Sequence, residues 1–157
     1  MNYTIRKAVK GDAADILRLV KELADYEKAP DAVEVTLTEM EADGFGPNAI
    51  YSAFVAEMDG IVVGMALYYT QYSTWKGRTI YLDDLIVSQK YRRYGIGAKL
   101  FEEVVKVCKE MGVRKMDWQV LDWNEPAIEF YKKYNTIFDG EWLNCTLYKK
   151  ELKSIKV

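Results

Sequence analysis

The sequence contains no histidine, and this absence excludes several kinds of site before any motif is considered. Histidine is the commonest metal ligand and the commonest general base, so no ordinary Ser-His or Cys-His triad can be built from this chain. Cysteine is also scarce, because only Cys108 and Cys145 occur, far apart and without CxxC spacing. The sequence therefore supports neither a disulfide framework nor a zinc site, and we expect no metal.

Long apolar runs and blocks of one charge are missing as well. No stretch approaches the roughly 20 apolar residues that a membrane-spanning helix needs, and residues 1–12 lack the apolar region of a signal peptide. The 22 Lys and Arg against 24 Asp and Glu give a formal net charge of −2, without a basic block suited to a nucleic-acid backbone. We therefore expect a cytoplasmic protein with no nucleic-acid or membrane partner, and a small cationic partner is favoured.

The length and composition of the chain predict one compact domain. Its 157 residues, of which 50% are hydrophobic, fit a single domain over residues 1–157 with a sizeable core. Apolar residues at helical spacing follow Asp12, which we expect to cap a first helix. Thr38-x-x-Glu41 resembles the capping box of a short second helix, which Gly44 would close.

Three β-rich runs follow and predict an antiparallel meander. They cover residues 50–57, 61–71 and 79–87. Asp59-Gly60 separates the first two runs and favours a tight hairpin turn.

The pattern then changes to a helix between two strands. Apolar residues recur at helical spacing over residues 100–111, and residues 115–120 have the pattern of the next strand. A helix between two such strands is a right-handed βαβ crossover, so we expect these strands to be parallel. Asn124 would cap a last helix that reaches about Tyr134, and residues 137–152 would add a final strand or hairpin.

Two consecutive carboxylates, Asp83 and Asp84, lie inside a run that is otherwise suited to burial. On a regular strand their side chains leave opposite faces of the sheet. The pair could mark a turn or a solvated edge, but apolar residues continue the strand beyond it. Because burial of an unpaired carboxylate is costly, the pattern favours a functional role.

This strand runs into an Arg92-x-x-Gly95-x-Gly97 loop at the start of a helix. Backbone N–H groups in such a loop can close on a phosphate at the helix N-terminus. The glycines could instead simply close the turn, and Asp117 would suit a dinucleotide-binding fold, although that fold expects a glycine where Leu100 stands. A Walker-type loop is excluded because Gly-Lys-Ser/Thr is absent. The loop thus suggests a site for a pyrophosphate.

Tyr131 lies on an apolar stripe of the last helix together with Ala127, Phe130 and Tyr134. Taken alone, this position is typical of a core residue. The motif WNEPAIEFY around it, Trp123 to Tyr131, is what favours a chemical role.

The order of these motifs resembles the GCN5-related N-acetyltransferases, the GNAT superfamily, which bind acetyl-CoA. Four segments more closely resemble its subfamily of spermidine/spermine N1-acetyltransferases and thialysine N-acetyltransferases: RKAVKGDAADILRLVKELADYEK, DGFG, YLDDLIVSQKYRRYGIG and WNEPAIEFYKK. The resemblance covers almost the whole chain. It implies an α/β (α+β) GNAT fold, with an antiparallel N-terminal meander and a parallel βαβ pair splayed to bind acetyl-CoA. About six or seven strands would form the mixed central sheet, with about four helices around it.

The resemblance also implies an activity, namely transfer of an acetyl group from acetyl-CoA to a primary amine by direct attack in a ternary complex. The substrate would be small and cationic, such as a polyamine, a diamine or a lysine-like amine. Tyr131 would protonate the departing CoA thiolate, and Asp83 would accept or relay the proton of the amine, directly or through water. The amine would contact Tyr26, Glu27, Trp75, Asp83 and Asp84.

Acetyl-CoA would contact the strand backbone, the glycine loop and the last helix. The implied residues are Leu85, Ile86, Val87, Arg92, Arg93, Tyr94, Gly95, Ile96, Gly97, Ala98, Asn124 and Tyr131. The subfamily also implies a homodimer that pairs through its C-terminal strands.

Three positions depart from the subfamily pattern. Asp83 stands where glutamate is common, which leaves the choice of amine open, and Arg93 and Asn135 stand where glycine is common. Asn tolerates the left-handed backbone, so the turn after the last helix can survive. Two alternative functions remain, namely acetylation of a protein N-terminus or lysine, and a CoA-binding module without turnover.

Overall fold

The computed structural model describes residues 2–157, which contain five strands and five α-helices. The strands are β1 Thr4–Lys7, β2 Ser52–Met58, β3 Ile61–Ser73, β4 Gly77–Val87 and β5 Met116–Asp117. The helices are α1 Ala13–Tyr26, α2 Leu37–Phe45, α3 Ile96–Met111, α4 Glu125–Lys132 and α5 Lys149–Ser154. The chain divides into two compact units, one ending at Gln119 and one formed by Val120–Val157. Within residues 2–157, no helix combines the length and apolar character that crossing a membrane requires.

The first unit is built on a single mixed sheet with the strand order β1-β2-β3-β4-β5. Strands β1 to β4 form an antiparallel meander, and β4 pairs with β5 in parallel after the crossover through α3. The predicted fold class is therefore confirmed. The sheet has fewer strands than predicted, because residues 137–152 form no strand. Their side chains have a strand-like pattern, but a strand forms only where a neighbouring backbone accepts its hydrogen bonds.

Helices cover both faces of this sheet. On one face, α1 and α2 bury an apolar cluster against β2, β3 and β4, which includes Ile16, Leu19, Met40, Val55, Met65, Leu67 and Ile86. On the other face, α3 buries Leu100, Phe101 and Val104. Gly64 permits the close approach of α3, because a Cβ there would lie 3.2 Å from Leu100 Cδ1 and 2.9 Å from the Ile86 carbonyl oxygen.

Local backbone signals explain most of the element boundaries. Asp59 and Gly60 both have positive φ, at 52° and 75°, so the predicted Asp-Gly hairpin turn between β2 and β3 is confirmed. The capping box of α2 lies two residues earlier than predicted. Thr36 Oγ1 accepts from Glu39 N at 3.2 Å, and Thr36 N donates to Glu39 Oε2 at 2.7 Å. Gly46 rather than Gly44 ends this helix.

Asp12 directly precedes α1, as predicted, but its carboxylate does not cap the helix. It accepts from Val9 N at 2.8 Å and from the Arg6 guanidinium at 2.7 and 2.9 Å. Hydrogen bonding to Arg6 lowers the pKa of Asp12. Because Arg6 also bonds Glu57 on β2, this cluster connects β1, β2 and the start of α1.

Candidate active site

Strand β4 carries a β-bulge at Asp83. Leu82 lies opposite Tyr68 and Asp84 lies opposite Leu67, so Asp83 is an extra residue without a direct partner on β3. An extra residue resets the alternation of side chains along the strand. Asp84 thereby shares the α1 face of the sheet with Leu67. The prediction that Asp83 and Asp84 leave opposite faces is wrong for this reason.

Two stacked tyrosines lie on the same face as Leu67, close to the bulge. Tyr69 pairs with Tyr81 across the strands, and their ring centroids lie 5.4 Å apart at an interplanar angle of 30°. Burial raises the pKa of both phenols, and the nearby charge of Asp83 raises it further. Sequence reasoning passed over this pair, although Tyr81 lies two residues before Asp83 on the strand.

Three carboxylates converge beside these tyrosines. Burial raises the pKa of Asp84 to about 7, with further contributions from the charges of Asp83 and Glu27. Burial also raises the pKa of Asp83 and of Glu27, the residue that directly follows α1. The sheet and the end of α1 thus bring together three of the five residues predicted to contact an amine, in a group that attracts cations and takes up protons.

The edge of β4 is open next to these carboxylates. Only Ile80 and Tyr81 pair with β5, which ends at Asp117, whereas β4 continues to Val87. In the part of the chain that the structure describes, no strand pairs with this edge at residues 85–87. Their backbone can therefore bond an extended ligand, as predicted for the pantetheine arm of acetyl-CoA.

The loop after β4 has two residues in the left-handed region. Arg93 has φ 72° and Gly95 has φ 77°, and α3 begins directly afterwards at Ile96 without a side-chain cap. Glycine meets no Cβ penalty in this region, whereas arginine does, so Arg93 carries a conformational cost at the position where the sequence resemblance implies glycine. The N-terminal amides of α3 and the helix dipole favour an anion at this place.

Arg92 holds this loop against the end of β4. Its Nε donates to the Val87 carbonyl at 2.9 Å, and its Cζ lies 5.1 Å from the centroid of the Tyr26 ring. Glu22 on α1 accepts from Ser88 Oγ at 2.7 Å and from the backbone N of the following residue at 3.0 Å. The loop is thus connected both to β4 and to α1.

In the second unit, two further predicted site residues lie at the start of α4 and within it. Asn124 caps the helix by accepting from Ala127 N at 3.4 Å. Tyr131 lies seven residues later, two helical turns along, and is 8% exposed. Asn135 has φ 56°, as expected for the position where the subfamily has glycine. The helix ends at Lys132, slightly before the predicted Tyr134.

Trp75 lies apart from the carboxylates within this chain. It is 82% exposed in the turn between β3 and β4, where its backbone N donates to Ser73 Oγ. The stretch of β4 from Gly77 to Asp83 spans roughly 20 Å at the rise of an extended strand. Within one chain the structure therefore does not bring Trp75 next to the carboxylates, and its contact with the amine stays a prediction.

An antiparallel meander, a parallel βαβ pair with an open edge and a glycine loop at a helix N-terminus define an N-acetyltransferase fold. The chain belongs to the acetyltransferase (GNAT) family, whose model matches residues 16–135. This assignment confirms the family resemblance of the sequence and the class of enzyme.

The chain is also similar to individual proteins of known name or structure. Over 157 aligned residues the chain is 41% identical to a thialysine N-epsilon-acetyltransferase of Bos taurus, covering 94% of this chain and 92% of that protein. It is 36% identical to spermidine/spermine N(1)-acetyltransferase-like protein 1 of Homo sapiens, over 82% of this chain and 20% of that longer protein. Among solved structures, an integron cassette protein from the mobile metagenome of V. cholerae has the same fold, with a TM-score of 0.78 at 22% identity over 98% and 96% of the two chains.

Proposed function

We propose that this protein transfers the acetyl group of acetyl-CoA to a primary amine of a small cationic substrate, a polyamine, a diamine or a lysine-like amine. The observation that carries the proposal is the group of Glu27, Asp83 and Asp84 beside the open edge of β4. A negatively charged group next to an acyl-CoA strand suits a compact cation that must lose a proton. Because a relative with 41% identity is named for thialysine, a lysine-like amine is the first substrate to test.

Acetyl-CoA, when bound, supplies the activated acetyl group, and residues of the first unit fit it. The open edge of β4 at Leu85, Ile86 and Val87 would bond the pantetheine arm. The pyrophosphate would lie at the N-terminus of α3, among Arg92, Arg93, Tyr94, Gly95, Ile96, Gly97 and Ala98. On the resemblance of its motif, Asn124 would hold the pantetheine side.

The carboxylates would prepare the amine. An alkylamine has a pKa of about 10.4, so at pH 7 only about one molecule in 2,500 is neutral, a deficit of about 4.6 kcal/mol. Asp83 would accept this proton directly or through a water molecule, while Glu27 and Asp84 hold the cation. The stacked Tyr69 and Tyr81 would line the aliphatic part of the substrate.

The amine would then attack the thioester carbon directly within a ternary complex. A C–N bond forms, the C–S bond breaks, and N–H groups of β4 would stabilise the oxyanion of the tetrahedral intermediate. Tyr131 would donate a proton to the departing thiolate, and the second proton that the acylated nitrogen loses would restore the phenol. In this scheme the protein works as one acetyltransferase domain of 157 residues, and a family match that spans residues 16–135 supports that unit.

We further propose a homodimer that is built through the C-terminal residues. Nine large apolar side chains beyond α4 are exposed among the residues that the structure describes: Ile137, Phe138, Trp142, Leu143, Leu147, Tyr148, Leu152, Ile155 and Val157. An exposed apolar segment of this kind is typical of an interface.

A CoA-release assay over a panel of amines tests the function. The panel contains thialysine, lysine, diamines, polyamines and peptides with a free N-terminus or lysine. We expect release with the small amines and little with the peptides. Release with peptides alone would favour a protein acetyltransferase, and acetyl-CoA binding without release from any amine would favour a non-catalytic module.

Replacement of Tyr131 by phenylalanine tests the proposed proton donor. Because the variant keeps the ring and loses only the hydroxyl, we expect kcat to fall by about 100-fold or more, while acetyl-CoA affinity changes by less than about two-fold. Tyr134→Phe, just beyond the same helix, is the matched control and should keep its turnover. Equal turnover in the two variants would remove Tyr131 from the mechanism.

A further inference from the structure

A short turn joins the two parts of the proposed CoA site, the open edge of β4 and the glycine loop before α3. This single 3₁₀ turn consists of residues Gln89–Tyr91, and Ser88 precedes it without supplying a side-chain cap. Gln89 is exposed, and Ser88 and Tyr91 are half-buried. Because the turn buries so little surface, its position depends on its hydrogen bonds.

Glu22 on α1 provides the cap that the turn itself lacks. Its Oε1 accepts from the backbone N of Gln89 at 3.0 Å, and its Oε2 accepts from Ser88 Oγ at 2.7 Å. A carboxylate that accepts from the first N–H of a helical turn satisfies a donor that has no partner within the turn. The backbone N of Ser88 donates to the Val63 carbonyl at 2.8 Å. The turn is thereby held between β3 and α1.

The charge of Glu22 does not suit a neighbouring anion site. A carboxylate close to bound phosphates opposes their binding, and Arg18 Nη1, 3.9 Å from Glu22 Oε2, offsets this charge only in part. Any benefit of Glu22 for CoA must therefore come from its two hydrogen bonds. A loop that is held in place before the ligand arrives loses less conformational entropy on binding.

We propose that Glu22 is a positioning residue for CoA, which holds residues 88–91 so that the open edge of β4 and the glycine loop fit one ligand together. This inference rests on the proposed function, because it concerns the site that would bind CoA. In this role Glu22 touches neither CoA nor the amine. It acts through the Ser88 hydroxyl and the Gln89 N–H.

Two substitutions separate the hydrogen bonds of Glu22 from its charge. Glu22→Gln removes the charge, but its amide can still accept from Gln89 N and can donate to Ser88 Oγ. Glu22→Ala removes both bonds and introduces the best helix former, so α1 itself is not weakened. We expect Glu22→Ala to raise the dissociation constant for CoA about five- to twenty-fold, and Glu22→Gln to leave it within about two-fold. Isothermal titration with CoA alone measures both values.

Asp15→Ala is the matched control for the loss of a carboxylate from α1. Asp15 also pairs with Arg18, at 3.1 Å, and in the described part of the chain it does not bond the turn. This variant should bind CoA as the original protein does. Thermal unfolding of each variant shows whether it is folded.

Ser88→Ala removes one of the two bonds and provides a second background. Alone it should weaken CoA binding about two- to four-fold, which tests the proposal even if Glu22→Ala does not fold. In this background Glu22→Ala should cause a smaller loss of CoA affinity than it causes alone, because one of its bonds is already absent.

A shorter acetyl donor distinguishes a misplaced loop from general damage to the enzyme. S-Acetylpantetheine keeps the thioester and the pantetheine arm and lacks the pyrophosphate that the loop would bind. With the best amine of the panel, we expect Glu22→Ala to lower kcat/KM for acetyl-CoA about five- to twenty-fold and kcat/KM for S-acetylpantetheine less than about two-fold. The KM for the amine should stay unchanged.

Several results would overturn the proposal. These are equal CoA affinities of Glu22→Ala and Asp15→Ala, equal losses in Glu22→Ala and Glu22→Gln, an equal effect of Glu22→Ala with and without the Ser88 hydroxyl, or an equal loss of kcat/KM for both donors. Failure of the original protein to bind CoA would instead contradict the proposed function itself. Tight CoA binding that none of these variants changes would contradict only the role of Glu22.

Discussion

Asp84 is the residue whose surroundings differ most from those of an ordinary surface carboxylate. Its own desolvation and the charges of Asp83 and Glu27 all favour the protonated form, and together they raise its pKa to about 7 from 3.8. Keeping a carboxyl in such a place lowers stability at neutral pH, which is common where a protein binds a ligand. A bound cationic amine would relieve this repulsion.

The pH dependence of stability tests this description of Asp84. Because its pKa is raised on folding, the folded protein binds this proton more tightly than the unfolded chain. Its contribution is thus most favourable below about pH 4 and is lost as the pH rises through about 7. Between pH 5 and pH 8, we expect the free energy of unfolding of the original protein to fall by about 2 kcal/mol more than that of Asp84→Asn.

Urea unfolding at the two pH values measures the difference. Asp31→Asn, which changes an exposed carboxylate outside the group, is the control and should follow the original protein. The same pH dependence in Asp84→Asn and in the original protein would show that this carboxyl does not titrate in the raised range.

At the scale of elements, a turn could be predicted from the sequence where its backbone conformation requires a particular type of residue. Asp59-Gly60 indicated the hairpin, because few residues tolerate positive φ, and the family resemblance implied the left-handed turn that Asn135 adopts. The start of α2 was misplaced by two residues because Thr36 and Thr38 are both followed three residues later by glutamate. The bulge at Asp83 was missed, since no local residue pattern marks an extra residue on one strand of a pair. It could be recognised only from the β3–β4 register.

The DGFG segment that ends α2 provides a prediction at this scale. A Cβ on Gly44 would overlap the Tyr51 ring, whose hydroxyl donates to the Met40 carbonyl at 2.5 Å and whose edge packs against Phe45. Tyr51 would have to move, with loss of this bond and of its packing. We therefore expect Gly44→Ala to lower the free energy of unfolding by roughly 1–3 kcal/mol.

Chemical denaturation of Gly44→Ala and of a matched variant measures this loss in the free energy of unfolding. Gly11→Ala is the control, because a Cβ there would meet no heavy atom within 4 Å, and we expect a change within about 0.5 kcal/mol. Equal stability of the two variants would mean that the DGFG motif is not required for the packing of Tyr51.

At the scale of the whole molecule, the prediction of the sheet was more accurate than the prediction that residues 137–152 form a strand or hairpin. The meander and the βαβ pair form their hydrogen bonds within the first unit, so hydrophobic pattern and turn residues sufficed to predict them. Residues 137–152 have a similar pattern but form no strand, and Ile137 and Leu143 are 92% and 88% exposed. In the part of the chain that the structure describes, this apolar pattern pairs with no strand, which is the outcome expected if its pairing partner is a second copy.

Measurement of the oligomeric state decides this proposal. We expect a dimer by size-exclusion chromatography with light scattering at micromolar concentration. Leu143→Lys should raise the dimer dissociation constant at least about ten-fold, because a charge would enter an apolar interface. Ile61→Lys is the matched control, since Ile61 is an exposed apolar residue of β3 outside the C-terminal segment, and it should leave the dimer intact. A monomeric original protein, or equal dissociation in both variants, would exclude the C-terminal segment as the interface and leave its exposed side chains to another partner.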